Sequence, residues 1–268
     1  MKDEKSITGT LLFKNTLLNI AGISLPLFIG LLAVRFTLRG LGEQAFGILS
    51  LLWVFLSNFA LLDFGLSRAA TKFAAEAIHQ ADKAKLSRLA STGLISSFFL
   101  GGLGGIILAL ITPVLTVHLL TIPPDLIPAT KKAFLFIAMG LPVLLATINI
   151  KGMLSAAQRF DLVNAVQIPM NSLGFLIPAL SLFLKLDISQ IILFIMVTRL
   201  AGCIAYLVIC RRVLLAGRGF GPLDGKALKQ LLSYGGWVTV SGIISPLLVY
   251  LDRFLVGSLL SITLLTYY

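Results

Sequence analysis

A chain of 268 residues that is 57% hydrophobic and 12% charged lies far from a soluble domain, in which about 25% of residues carry charge. Its formal net charge of +11 would suit nucleic acid in a soluble protein. Basic residues collect instead in the cytoplasmic loops of membrane proteins, where they meet anionic lipid, so no nucleic-acid partner is expected.

Seven apolar stretches, uncharged but for one arginine in the sixth, follow one another, at 15–34, 44–62, 89–124, 133–150, 162–184, 188–210 and 230–251. A spanning helix needs roughly 20 largely apolar residues, and each stretch suffices. The first ten residues carry charges of both signs, and the first apolar run has no small-residue cleavage site. It reads as a retained helix rather than a signal peptide.

The first helix holds Asn19 and Pro26 and ends at Arg35 and Arg39; the second holds Asn58 and closes on Asp63 and Arg68. Asn19, Asn58 and Asp63 read as interhelical hydrogen-bonding groups or as part of a substrate path. Arg35 and Arg39 read as side chains that snorkel to the headgroups.

Residues 67–90 predict a helix outside the hydrocarbon. Ala70, Phe73, Ala74, Ala77, Ala81 and Ala84 form its apolar stripe, with Lys72, Glu76, Lys83 and Arg88 off it. The helix reads as a cytoplasmic extension lying near the headgroups. In the third run, Gly101, Gly102, Gly104 and Gly105 predict a close helix approach. Pro113, Pro142, Pro169, Pro178 and Pro246 predict bent helices. Lys151, Arg159 and Asp161 flank a tight turn after the fourth run and read as topological charges.

Arg199 is central in the sixth run, with uncharged sequence on both sides. An arginine at mid-helix costs about 2.5–3.5 kcal/mol on insertion scales. Tolerating it takes a water-filled cavity, an anionic ligand, or an acidic partner such as Asp63. Cys203 and Cys210, on the same helix, read as small packing residues. His79 and His118 lie in different segments, so no metal site and no cofactor are expected.

The glycine-rich segment 211–230 reads as a cytoplasmic linker between lobes. It follows a six-helix lobe (1–210) and precedes the first helix (231–268), closed by Asp252 and Arg253, of an incomplete second lobe. A shift of 214 residues places Leu17, Leu18, Gly22 and Arg39 on Leu231, Leu232, Gly236 and Arg253, as two similarly built lobes would. The chain is thus expected to be an all-α, polytopic membrane protein. One alternate set of gaps, including the N-terminus, holds 15 Lys/Arg and the other holds 6. That asymmetry predicts a cytoplasmic N-terminus.

No nucleophile elbow, phosphate-binding loop or HExxH is present, and no enzymatic activity is expected. Four stretches resemble the polysaccharide biosynthesis proteins, the lipid-linked oligosaccharide flippases of the multidrug/oligosaccharidyl-lipid/polysaccharide exporter superfamily. These are LGEQAFGILSL (41–51), LDFGLSRAATKFAAE (62–76), AAQRFDLVNAVQIP (156–169) and the segment 235–268, with Asp252-Arg253-Phe254. The resemblance implies two six-helix lobes around a central cavity in a bacterial inner membrane. It also implies alternating access that turns an undecaprenyl-pyrophosphate-linked glycan, such as an O-antigen unit, to the outer leaflet. The implied partners are the lipid-linked oligosaccharide, membrane lipids, and polysaccharide polymerase and ligase proteins.

Candidate substrate-binding residues are Arg199, Asn19, Asn58, Asp63, Arg39 and Arg253, with Arg199 foremost because a guanidinium grips a diphosphate bidentately. The family's eighth helix would begin where this sequence stops, so the chain reads as a fragment or a truncated product. Competing expectations are a cation-coupled multidrug exporter, a membrane enzyme of glycan assembly and a non-transporting scaffold.

Overall fold

The computed structural model describes residues 9–58, 63–216 and 219–259, with side chains described at all of these except 9–12, 14, 58, 243 and 245–259. Among the described residues every regular element is helical. The elements are α1 (Gly9–Asn58), α2 (Leu66–His79), α3 (Lys83–Val114), α4 (Ile127–Ala156), α5 (Phe160–Ala179), the short α6 (Ser181–Leu184), α7 (Ile188–Ile209) and α8 (Gly225–Leu259). Single π-helical turns, Leu115–Leu119 and Cys210–Leu214, prolong α3 and α7. Five stretches among the described residues are long and apolar enough to cross a membrane: Asn15–Ser57, Lys83–Leu119, Ile127–Ala156, Phe160–Ala179 and Ile188–Leu214. The protein is therefore a polytopic all-α membrane protein.

The first of these stretches holds two crossings. Its 43 residues would reach about 65 Å if straight, twice the hydrocarbon thickness of about 30 Å. The helix instead breaks at Gly42, whose φ of 79° and ψ of 168° belong to a region that is essentially glycine's alone. The two limbs come back together at Phe175. A Cβ on Gly30 would sit 3.2 Å from that ring, and the Trp53 ring packs edge-on to it at 5.4 Å. The outer loop expected at 35–43 is therefore a one-residue hinge, and Arg35 and Arg39 stand on continuous helix.

The extramembrane helix is also shorter than expected. α2 stops at His79, Ala81 takes the left-handed φ of 54°, and the Asp82 carboxylate accepts from the Lys85 N–H to start α3. Ala84 is accordingly exposed rather than part of the stripe. Ala69, Ala70, Ala74 and Ala77 are buried against α4, α3 and α8. The stripe packs against the bundle, because small alanines admit close helix neighbours.

Two glycines of the third run behave as expected. A Cβ on Gly101 would lie 2.7 Å from the Leu141 carbonyl oxygen, and one on Gly105 would strike the Ala138 carbonyl oxygen. Gly102 faces open space and takes no part. α3 and α4 thus meet backbone to backbone.

Buried apolar residues form two clusters. One joins α2, the start of α3 and the ends of α4 and α7, with Leu66, Leu89, Met153, Leu154 and Tyr206 fully buried. The other joins the second limb of α1, the start of α4 and the start of α7, with Leu49, Leu52, Phe134, Ile137 and Ile192 fully buried. Tyr206 pins α7 to α5 by donating to the Val163 carbonyl at 2.8 Å.

The linker is strapped to α3 rather than free. Ser87 Oγ donates to the Gly219 carbonyl at 2.8 Å, Gly221 N–H donates to the Ser87 carbonyl at 3.3 Å, and Asp224 N–H donates to Thr92 Oγ1 at 3.2 Å. α8 begins at Gly225, inside the segment expected to be linker.

Candidate functional site

α5 carries a polar stripe. Asn164, Gln167 and Asn171 recur at helical spacing on one face, followed by Gly174. Its upper part borders a hollow of about 610 Å³ between both limbs of α1, α5 and α7, lined among others by Gly22, Pro26, Ser50, Trp53, Gln167 and Asn171. Arg199 of α7 points its guanidinium into this hollow, and Nη1 donates to Asn171 Oδ1 at 3.0 Å. Gly174 lies beside that head group, and a Cβ there would meet Arg199 Nη2 at 3.9 Å, an ordinary contact. A second hollow, of about 200 Å³, shares Ser57, Gln167, Asn171 and Arg199 with the first and adds Thr147 and Lys151. Two cations therefore border neighbouring hollows that share the amides of Gln167 and Asn171. Among the described residues no carboxylate lines either hollow.

The arginine has no acidic partner among the described residues. The ion pairs there are Arg88–Asp224 at 3.7 Å and Arg159–Asp161 at 2.9 Å, neither of them at the hollow. Asp63, the partner weighed from sequence, is engaged elsewhere. Its Oδ2 accepts from the Ser67 backbone N–H at 2.8 Å and from Ser67 Oγ at 2.6 Å. The N-cap of α2 is Gly65, which has no side chain, so Asp63 supplies the cap from two residues upstream. Burial pushes its carboxyl above the ordinary value, against the pull of the Ser67 hydrogen bonds and Arg68.

The other candidates fall in different places. Asn19 Oδ1 accepts from Asn164 Nδ2 at 3.3 Å, which seats it on the seam between α1 and α5, one turn from the hollow-lining Gly22. Arg39 is exposed on the far part of the first limb and does not line the hollow. The side chains of Asn58 and Arg253 lie outside the described residues. Asn171, Gln167 and Lys151 were not among the sequence candidates. The 3-then-4 spacing of Asn164, Gln167 and Asn171 was a usable signal. Lys151 gave none, because its place at the end of an apolar run looks topological.

The recurring motifs serve the frame around the hollow. Gly42 in LGEQAFG is the hinge of α1, and Phe46 stacks edge-on with Trp53 at 6.4 Å. In Asp63-Phe64-Gly65 the aspartate caps α2, and Gly65, at φ 70°, lets the turn cross the backbone of Gly235 in α8. In AAQRFDLVN, Gln158 takes a left-handed turn and accepts from Asn15, Arg159 holds Asp161 through two hydrogen bonds, and Asn164 reaches Asn19. That motif ties the α4–α5 turn to α1.

The family model of the polysaccharide biosynthesis proteins matches residues 12–268. The "Putative O-antigen transporter" of Shigella flexneri is 27% identical over 258 residues, covering 96% of this chain and 60% of its own length. The chain thus spans about three-fifths of the curated relative it matches. A MATE structure in complex with MaD3S superposes with a TM-score of 0.69 at 14% identity, over 92% of this chain and 56% of that one. A MOP superfamily transporter from Pyrococcus furiosus, described as having a binding pocket of reversed polarity, superposes at 0.64 and 16% identity, over 89% and 55%. These superpositions establish the fold that the helices share.

Proposed function

The chain belongs to the polysaccharide biosynthesis protein family, and from that premise we propose that it supplies the cavity-bearing first lobe of a transporter. The transporter turns an undecaprenyl-pyrophosphate-linked oligosaccharide from the cytoplasmic to the outer leaflet of a bacterial inner membrane. In this reading 1–210 is the first lobe, α8 opens a second, and the N-terminus is cytoplasmic. Polysaccharide polymerase and ligase proteins receive the product.

One observation carries the proposal: Arg199 faces a 610 Å³ hollow with no carboxylate among the described residues to neutralise it. A buried guanidinium is tolerated when water or an anion satisfies it. A diphosphate presents paired oxygens that match its fork, and the neutral amides of Asn171 and Gln167 add donors without adding negative charge. The polyprenyl chain can stay in lipid while the headgroup enters. Asn19 and Asn164 sit one turn away, where a sugar would extend; we assign no substrate contact to Asp63, which caps α2, or to Arg39.

A cation-coupled drug exporter would need acidic groups at the hollow to receive sodium, protons or cationic drug, and among the described residues the lining has none. The test is inversion of a fluorescent lipid-linked oligosaccharide in proteoliposomes of the assembled transporter. Loss of inversion in Arg199→Ala supports the reading, and unchanged inversion in that variant overturns it. Efflux of a drug cation without lipid inversion would establish the exporter instead. Bond formation from a nucleotide sugar would establish an enzyme.

A further inference from the structure

A second cavity, remote from Arg199, opens between α2 and α8. It has a volume of about 520 Å³ and is lined by Phe73, Lys226, Lys229, Ser233, Tyr234 and Trp237. Lys72 of α2 stands at the same place, its ammonium 4.2 Å from the Tyr234 ring centroid and 5.1 Å from that of Phe73. The two rings pack edge to face at 5.7 Å, so they hold the ammonium where the π faces favour a cation. Two lysines thus line the groove and a third stands on its aromatic wall, and among the described residues no carboxylate lines it. The acids nearby are Glu76, one turn along α2, and Asp224. Asp224 is already engaged, accepting from the Lys226 N–H at 2.8 Å and lying 3.7 Å from Arg88 Nε.

We propose that this groove binds the phosphate headgroup of an anionic phospholipid. The order of residues along α8 supports a lipid over a soluble anion. Lys226 and Trp237 are eleven residues apart, roughly 16 Å along the axis. The cations therefore sit at the end that leaves the membrane, and Trp237, 72% exposed, sits at the end that enters it. A phospholipid has the same gradient, phosphate outward and acyl chain inward, and tryptophan favours the boundary between the two. An acidic peptide or free phosphate would satisfy the lysines and leave the indole uncovered. The site rests only on the chain's spanning a membrane, so it stands apart from the transport proposal.

Trp237 is its own reporter, since the chain has two tryptophans and Trp53→Phe leaves it alone. The full chain carrying that substitution is reconstituted in phosphatidylcholine with rising fractions of acyl-brominated phosphatidylglycerol or acyl-brominated phosphatidylcholine. The expected result is half-quenching of Trp237 at a phosphatidylglycerol fraction about fivefold below that needed of phosphatidylcholine. Unlabelled phosphatidylglycerol should reverse the quenching, and inorganic phosphate should not. Lys72→Gln/Lys226→Gln/Lys229→Gln should abolish the preference, whereas Lys131→Gln/Lys132→Gln should keep it. Equal quenching by the two lipids overturns the site. So does reversal by inorganic phosphate, or an equal loss of preference in the Lys131/Lys132 variant. Should the triple glutamine variant fail to reconstitute, the lipid comparison and the phosphate arm decide alone.

Discussion

A guanidinium has five N–H donors, and among the described residues Arg199 spends one of them, on Asn171. The rest face the hollow, where water or an oxyanion can accept them. This makes Asn171 the residue through which the charge can be tuned. Asn171→Asp places a carboxylate where the amide oxygen now lies and converts the hydrogen bond to an ion pair. Lipid inversion should then fall at least tenfold while thermal stability in detergent is kept, because a neutralised arginine no longer attracts an anion. Arg199→Lys should retain charge but lose the bidentate grip, leaving inversion between that of the parent and of Arg199→Ala. Inversion equal to the parent's in Asn171→Asp would mean that the guanidinium's charge is not used.

Asp63 shows the opposite use of a charge, as an anchor for local structure. Its folded pKa is raised above the ordinary 3.8, so the protonated form favours the folded state. The stability it contributes is fully present below the unfolded value and is lost as pH rises through the raised folded one. Asp63→Asn keeps an acceptor for Ser67 and removes the ionisation. Its melting temperature should exceed the parent's at neutral pH, and the gap should close as pH falls toward 4. Asp63→Ala removes the cap itself and should lie about 1 kcal/mol below Asp63→Asn at every pH in that window. A constant difference between Asn and Asp variants across pH would show that Asp63 does not titrate on unfolding.

At the scale of elements, glycine decides where helices bend and where they touch. Gly101 and Gly105 bring α3 against the backbone of α4 near Pro142, and any side chain there must push the two apart. Gly105→Val should destabilise the fold by about 1–3 kcal/mol through overpacking, measured by thermal unfolding in detergent. Gly102→Val, facing open space, should cost less than half as much. Equal effects would place the helix contact elsewhere.

The GxxxG spacing of Gly101 and Gly105 made the contact, and the two glycines that form it, legible without coordinates. The hinge at Gly42 was less legible, because Arg35 and Arg39 interrupt the apolar run and look like a loop. In three dimensions a helix carries charges past the hydrocarbon boundary and bends later. Ala81 illustrates the converse. Its alanine continues the stripe of α2 by periodicity, yet the Asp82 cap restarts the helix there. Within the site, Arg199 was conspicuous because a charge within an apolar run carries its own cost. Lys151 gave no such signal, because position in a run says nothing of which hollow a side chain lines.

At the scale of the molecule, the hollow lies inside one bundle. In the transport reading its cations and its strapped linker must act against a second lobe. The orientation of that bundle rests on the charge asymmetry between its loops, and it decides which leaflet the α2–α8 groove meets. Both native cysteines, Cys203 and Cys210, are buried, so engineered thiols can be read over a low background. Lys83→Cys, on the α2–α3 turn, should resist a membrane-impermeant maleimide in intact cells and react once the membrane is opened. Asp125→Cys, on the loop before α4, should react in intact cells. The reverse pattern would invert the protein and with it the direction of transport proposed for Arg199, while leaving the hollow, its arginine and the helix contacts as they are. A reaction of both thiols in intact cells would place the two loops on one side, and α3 would then not cross the bilayer at all. That outcome is hard to reconcile with a 37-residue apolar stretch from Lys83 to Leu119, whose length of roughly 55 Å exceeds the hydrocarbon core. The labelling experiment therefore tests the charge rule against the helix lengths in one measurement. Agreement of the two fixes the lysine-lined groove in the cytoplasmic leaflet, where anionic lipid is drawn to juxtamembrane lysine and arginine.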